Sequence, residues 1–393
     1  KDLLLTKGWP TLRGSRLVAR DQDWNEDAPA VARLREEGAV LIGKTTTPEF
    51  GWKGVTDSAL TGITRNPWDT TRTPGGSSGG AAVAAALGFG ALHLGTDGGG
   101  SIRIPAGFTG IFGLKPSFGR VPAYPPSPFG TVAHVGPMTR EAGDGALLLN
   151  VIARPDPRDP FALPEDGRDY RIGLERGVAG LRVAYSRTLG FARVDPEVAA
   201  AVDGAVRAMA ELGAWVEETD PKIPDPRDCF AKHWLTGAAN LLRTLQADRH
   251  GEIDRGLVEA AQQGAAIAHM EYQAAVRERV ELAQAMRLFH ERYDLLVTPT
   301  LPIAAFAAGQ ELADPARERR WPDWTPFSFP FNLTGQPAAS VPCVLVQGGL
   351  PVGVQIVGGP YQDALVLRAA RALEAALPRR LPDPARLLAG GPA

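Results

Sequence analysis

The stretch from Gly75 to Ser101 constrains the fold more than any other part of the chain. It begins with "GGSSGG" (Gly75 to Gly80) and ends with "GGGS" (Gly98 to Ser101). Between these loops lie an alanine-rich run, "AAVAAALG", and an apolar run, "ALHLGTD". The first run predicts a small-residue helix and the second a strand. One helix and one strand return the chain on itself, which places Ser77 or Ser78 beside Ser101. Glycine reaches backbone dihedrals closed to other residues and presents no side chain, so successive N–H groups can be turned inward. A backbone oxyanion hole is built in this way. A tight turn against a packed helix accounts for one or two such glycines. It does not account for two glycine-serine loops flanking one unit.

The rest of the chain reads as alternating helices and strands. "DAPAVARLREEG" spaces apolar residues for a helix ending at Gly38, and "AVLIG" after it predicts a buried strand. Residues 65–80 are loop-like, and "SIRIPAGFTGIFGLKP" from Ser101 predicts a short, closely packed helix. Residues 181–219 form a strand, helix, strand unit. Residues 228–295 are mainly helical, "YDLLVTPTLP" and "GLPVGVQIVGG" return buried strands, and "DALVLRAARALEAAL" closes with an amphipathic helix. The final "PRRLPDPARLLAGGPA" reads as a loose tail. No linker divides the chain, so the expectation is one α/β domain over residues 1–393, built on a large mixed sheet.

Composition excludes several classes. With 42 Lys and Arg against 44 Asp and Glu, the net charge of -2 gives no footprint for nucleic acid or an anionic membrane. No window of about 18 apolar residues is uninterrupted, which argues against a membrane span. The cysteines, Cys229 and Cys343, suggest neither a disulfide scaffold nor a metal cluster, and a reducing cytoplasm is the default. The six histidines show no paired ligand spacing, so neither a metal nor another cofactor is expected. "GAVLIGKT" (Gly38 to Thr45) matches a P-loop pattern, but its four middle residues look like strand and Pro48 follows, so the reading is structural. Nothing selects one histidine for a Ser-His-Asp triad, and no "GxSxG" elbow is present. A serine without histidine needs another base, and a buried, deprotonated lysine is the usual substitute.

The tract from Thr64 to Pro122, "TRNPWDTTRTPGGSSGGAAVAAALGFGALHLGTDGGGSIRIPAGFTGIFGLKPSFGRVP", closely resembles the signature region of the amidase signature family. "DAPAVARLREEGAVLIGKTTTPEFGW", "HVGPMTREAGDGALLLNVIARPDPRDP" and "PFNLTGQPAASVPCVLVQGGLPVGVQIVGG" resemble further segments in the family's order, leaving out roughly residues 220–290. The resemblance implies the amidase signature fold and a Ser, cis-Ser, Lys triad. Position by position, Ser101 matches the nucleophile and Ser77 the cis-serine, with a cis peptide bond expected between Gly76 and Ser77. Lys1, in the "KD" pair before "LLLTKGWPTLRGS", matches the base, while Lys44 matches a structural strand end. A catalytic lysine at position 1 implies that the family's N-terminal helices lie outside the sequence, along with any targeting segment. Two departures stand out: Gly98, where the family often has a larger residue, and Val344, where a glycine commonly follows the cysteine.

The activity implied is hydrolysis of a small amide to the acid plus ammonia or amine through an acyl-enzyme on Ser101. The backbone N–H groups of Gly98, Gly99, Gly100 and Ser101 are the expected oxyanion donors. Thr96, Asp97 and Arg103 are expected to brace the loop, with Ser78 as an ambiguous neighbour. The pocket is expected from residues 220–290 and from loops at 122–133 and 302–330, where Phe230, Trp234, Trp321, Trp324 and Phe327 serve either an aromatic acyl group or the core. The alternatives are a glutaminase subunit of the tRNA-dependent amidotransferase, an esterase, or a non-catalytic binding protein of the same fold. A homodimer is left open.

Overall fold

The computed structural model describes residues 1–346 and 348–384. After an irregular segment, the chain runs through α1 (Pro29–Glu36), the short pair β1 (Asp57–Ser58) and β2 (Gly62–Ile63), α2 (Gly79–Leu87), β3 (Leu92–Asp97), α3 (Arg103–Thr109), β4 (Phe112–Lys115) and β5 (His134–Thr139). It continues through α4 (Ala142–Ile152), β6 (Arg182–Tyr185), α5 (Pro196–Glu211), β7 (Trp215–Glu218), α6 (Arg227–Arg243), α7 (Arg255–Ala265) and α8 (His269–Arg292). β8 (Leu295–Pro299), α9 (Phe329–Leu333), β9 (Ala338–Leu345), β10 (Pro351–Gly358) and α10 (Asp363–Ala376) complete it.

Eight strands form one sheet in the order β3-β5-β4-β9-β10-β8-β6-β7. It is antiparallel from β3 to β8 and parallel where β6 meets β7 and β8, so the sheet is mixed, as expected. β8 and β10 are buried at every position, which explains their near-continuous apolar sequences. Side-chain alternation splits their residues between two cores. Leu295 and Val297 join α1, α4, α5 and α10 on one side. Leu296 and Val357 face Met286, Phe327 and Phe331 on the other.

Local signals account for the helices. Pro196 occupies the first turn of α5 and the Asp195 carboxylate accepts from the Glu197 N–H at 2.8 Å. Its buried face is Val198, Val202, Ala205 and Met209, at helical spacing. α2 buries Ala81, Ala82, Ala85 and Ala86 and ends at Gly88, whose φ of 78° is left-handed. A third core, rich in aromatic rings, joins α6 and α7 to Trp52, Trp321, Trp324 and Phe329.

Two local expectations are corrected. "AVLIG" is not a buried strand: it pairs with no strand, and Val40 and Ile42 are 85% and 71% exposed while Ala39 and Leu41 turn inward. Its alternation gives one apolar face a core to meet and leaves the other in solvent. The short helix expected from Ser101 ends at Gly110, where φ is 69°, and Phe112–Lys115 becomes β4 between β5 and β9. Four residues containing a glycine and a lysine carry no strand pattern; the neighbouring strands impose the conformation. Within the tail, residues 378–383 follow an irregular path, and residues 385–393 lie outside the described residues. Among the described residues no helix is long and apolar enough to cross a membrane.

Candidate active site

Ser77 lies in the loop that leads into α2. Thr56 Oγ1 donates to the Gly75 carbonyl at 2.8 Å and accepts from the Gly79 N–H at 3.1 Å, clasping the loop from both ends. The Gly76–Ser77 peptide bond is cis. Ser101 sits in the turn between β3 and α3, and the Ser78 N–H donates to the Ser101 carbonyl at 3.1 Å, tying the two glycine-serine loops together. Ser77 and Ser101 are 1% and 4% exposed, and both line the same cavity.

Lys1 reaches this point from the start of the chain. Its Nζ is 2.7 Å from Ser77 Oγ, 2.8 Å from Thr96 Oγ1 and 3.3 Å from the Thr96 carbonyl. The Lys1 backbone nitrogen bonds the Leu94 carbonyl at 3.2 Å, and the Asp2 N–H bonds the Thr45 carbonyl at 3.0 Å. Edge strand β3 therefore carries Lys1 on one side and leads directly into the Ser101 turn. Burial pushes the Lys1 ammonium well below the usual lysine range, with Asp97 opposing from a distance.

The turn is held by a buried pair. Arg103 Nε and Nη2 each lie 3.0 Å from an Asp97 oxygen, and both side chains are fully enclosed. Asp97 also accepts from the Gly100 N–H at 2.7 Å, the Ile102 N–H at 3.2 Å and Asn332 Nδ2 at 2.8 Å. Burial alone would raise the Asp97 carboxyl; the Arg103 guanidinium and the bonds from Arg103 and Asn332 override it and hold the group well below the carboxylate range. The remaining Arg103 donors reach the Ser328 carbonyl at 2.8 Å, Gln355 Oε1 at 2.9 Å and Asn332 Oδ1 at 2.6 Å. The pair thus fastens the turn to α9 and β10.

This wiring corrects one expectation. The Gly100 N–H is committed to Asp97, so Gly100 leaves the set of oxyanion donors. Its role is conformational: φ is 129°, and a Cβ there would lie 2.5 Å from Ser328 Oγ. Gly98, Gly99 and Ser101 have no backbone N–H partner among the described residues. A Cβ at Gly99 would lie 2.6 Å from both the Phe230 and Trp321 rings, and one at Gly98 would lie 2.9 Å from Trp234. The space beside these glycines is filled by aromatic rings.

Ser78 is turned away from the cavity, with its Oγ between the Thr96 carbonyl at 3.1 Å and the Thr96 N–H at 3.3 Å. Thr96 does more than brace the loop, because its Oγ1 touches Lys1 Nζ directly. Lys44 is saturated by Asp2, Thr11 and two carbonyls, an arrangement with no vacancy for a phosphate. Ser328, Asn332 and Gln355 are not marked by the sequence as site residues; Asn332 and Gln355 lie in a segment resembling the family, and Ser328 lies just before it, in the 302–330 loop.

The cavity encloses about 950 Å³ of empty space, counting solvent at its mouth. Of the five aromatics expected near it, only Trp234 lines it; Phe230, Trp321, Trp324 and Phe327 are core residues. The 122–133 loop contributes as expected, with Phe129 stacked on Trp234 at 3.8 Å between ring centres. Residues 302–330 do not line it, and Leu3, Arg13 and Phe50 supply an unforeseen wall.

Comparison with known proteins gives the family. The model of the family described as Amidase matches residues 1–367. The chain is 38% identical to an acylamidase of Rhodococcus erythropolis over 96% of its length and 80% of the relative's. It is 37% identical to a glutamyl-tRNA(Gln) amidotransferase subunit of Moorella thermoacetica, over 95% of this chain and 81% of that one. Among solved structures, a bacterial aryl acylamidase of the amidase signature enzymes superposes with a TM-score of 0.87 at 32% identity, covering 94% of this chain and 80% of the other. A 6-aminohexanoate cyclic dimer hydrolase gives 0.89 at 30% identity, covering 98% and 85%. The chain belongs to the amidase family, as an amidase signature hydrolase of carbon-nitrogen amide bonds.

Proposed function

We propose that the chain hydrolyses small acyl amides through an acyl-enzyme on Ser101, with Ser77 relaying protons to Lys1. The observation that carries this reading is the 2.7 Å contact between Lys1 Nζ and Ser77 Oγ, made by a buried lysine whose Nζ has no ion-pair partner among the described residues. A neutral amine has two N–H donors and one lone pair. The Thr96 carbonyl can only accept, so it takes one N–H, and Thr96 Oγ1 accepts the other. The lone pair is left for the hydroxyl proton of Ser77.

The steps then balance. Lys1 takes the Ser77 proton as Ser77 takes the Ser101 proton, and Ser101 Oγ bonds to the amide carbon. The free N–H groups of Gly98, Gly99 and Ser101 receive the developing oxyanion. Ser77 returns a proton to the amide nitrogen, the C–N bond breaks and the amine leaves. Water, deprotonated through the same relay, cleaves the acyl ester and restores Ser101.

The apolar lining, with Leu3, Phe50, Phe129, Trp234 and Leu241, favours an apolar acyl group. The acylamidase and aryl acylamidase among the similar proteins support the same substrate class. Replacing Ser101 with Ala is expected to lower kcat about ten-thousandfold or more on a good anilide. Turnover at the wild-type rate by that variant would refute the mechanism.

A further inference from the structure

Arg13 is the feature of the cavity that this chemistry does not use. Its side chain lines the cavity, half-buried, on the wall shared with Leu3 and Phe50. Among the described residues its guanidinium makes neither a hydrogen bond nor an ion pair. Asp2 is the acid that attracts it, but Asp2 is already engaged by Lys44 Nζ at 3.0 Å and the Leu12 N–H at 3.1 Å. Burial lowers the Arg13 pKa and Asp2 opposes this, yet an arginine stays charged in proteins.

The backbone holds this side chain in place. Arg13 has a φ of 56°, its N–H donates to the Asp2 carbonyl at 3.0 Å, and its carbonyl accepts from the Phe50 N–H at 2.7 Å. Gly14 follows, so close to the Thr47 carbonyl that a Cβ would lie 2.6 Å from it. A left-handed, non-glycine position fixed from both sides holds Arg13 at one place on the cavity wall.

A partly desolvated guanidinium without a partner costs stability until an anion reaches it. Its planar fork matches a carboxylate, and the apolar walls around it strengthen the attraction by excluding water. The nearby Asp2 charge disfavours a dianion such as a phosphate ester. We propose that Arg13 forms a carboxylate subsite, and that the preferred amides carry one carboxylate on their acyl or amine portion. This inference rests on the amidase reading and adds the substrate class.

Two matched pairs of amides test it. On the acyl side, glutaric acid monoanilide is compared with pentanoic anilide; on the amine side, N-phenylacetylglycine with N-ethylphenylacetamide. The wild-type enzyme is expected to favour the carboxylate member of one pair by about tenfold or more in kcat/KM. Arg13→Gln is expected to cost that member about ten- to a hundredfold more than its neutral partner, with Arg13→Lys in between because it keeps the charge and loses the fork. The neutral partner reports on folding of each variant. Absence of preference in both pairs, or equal losses on both members, overturns the subsite while leaving the amidase reading intact. If the wild type hydrolyses none of the four and Ser101 is never acylated, the amidase reading itself falls and takes the subsite with it.

Discussion

Asp97 and Arg103 face each other through two 3.0 Å contacts, and neither side chain is exposed to solvent. The pair flanks the Ser101 turn, Asp97 at the end of β3 and Arg103 at the start of α3, and Asp97 fixes the loop by taking the Gly100 and Ile102 N–H groups. Removing one partner leaves a buried charge uncompensated. Arg103→Met is therefore expected to destabilise the fold by about 3–5 kcal/mol, measured by denaturant unfolding. A loss below about 1 kcal/mol would show that the pair does not hold the turn.

The Lys1 pKa gives a signed pH dependence. The folded-state value lies below the unfolded value, so the unfolded chain binds the extra proton between the two. The cost of burying Lys1 is fully present below the folded pKa, and it is relieved as pH rises from there towards about 10.5. Lys1→Met is expected to lose activity yet gain stability on the acid side of this window, with a shallower rise of stability with pH. Lys115 is also buried and shifted downward, so the comparison of wild type with Lys1→Met isolates the Lys1 share. Parallel stability-pH curves for the two proteins would exclude a depressed Lys1 pKa.

Gly98 and Trp234 form a second coupled pair, because a Cβ at position 98 would lie 2.9 Å from the indole ring. Trp234 is itself fixed by its Nε1 bond to the Trp52 carbonyl at 3.1 Å and by stacking on Phe129. Gly98→Thr is expected to raise KM for aromatic acyl amides by displacing the ring. Combining it with Trp234→Ala should give less than the summed losses, a coupling of about 0.5–3 kcal/mol in a double-mutant cycle. Strict additivity in kcat/KM would show that the two residues act apart.

The amidotransferase relatives raise one competing expectation, a glutaminase working within a complex. The apolar lining predicts that the isolated chain turns over simple acyl anilides with a kcat/KM well above that for free glutamine. A strong glutamine preference in the isolated chain would reverse this assignment.

Much of the site was readable because its parts are contiguous. "GGSSGG" and "GGGS" flank one helix and one strand, so short-range geometry alone brings Ser77 and Ser101 together. Lys1 needed the family resemblance, since its partners Ser77 and Thr96 are 76 and 95 positions away. Gly100 was misread because a glycine run does not reveal which N–H a nearby carboxylate takes. Ser328, Asn332 and Gln355 lie 225 to 252 residues from Arg103, and nothing local marks them as its partners. In the fold, long periodic segments such as α5 and α10 were legible, whereas β4 exists only because β5 and β9 flank it. "AVLIG" failed for the opposite reason, as its apolar residues find no strand to pair with.

The most direct test is to quench the enzyme during turnover of an activated anilide and map the acylated residue by peptide mass. The expected result is an acyl adduct on Ser101, absent from Ser101→Ala and much reduced in Lys1→Met. An adduct on any other residue, or full turnover without an adduct in both variants, would contradict the Ser101 mechanism.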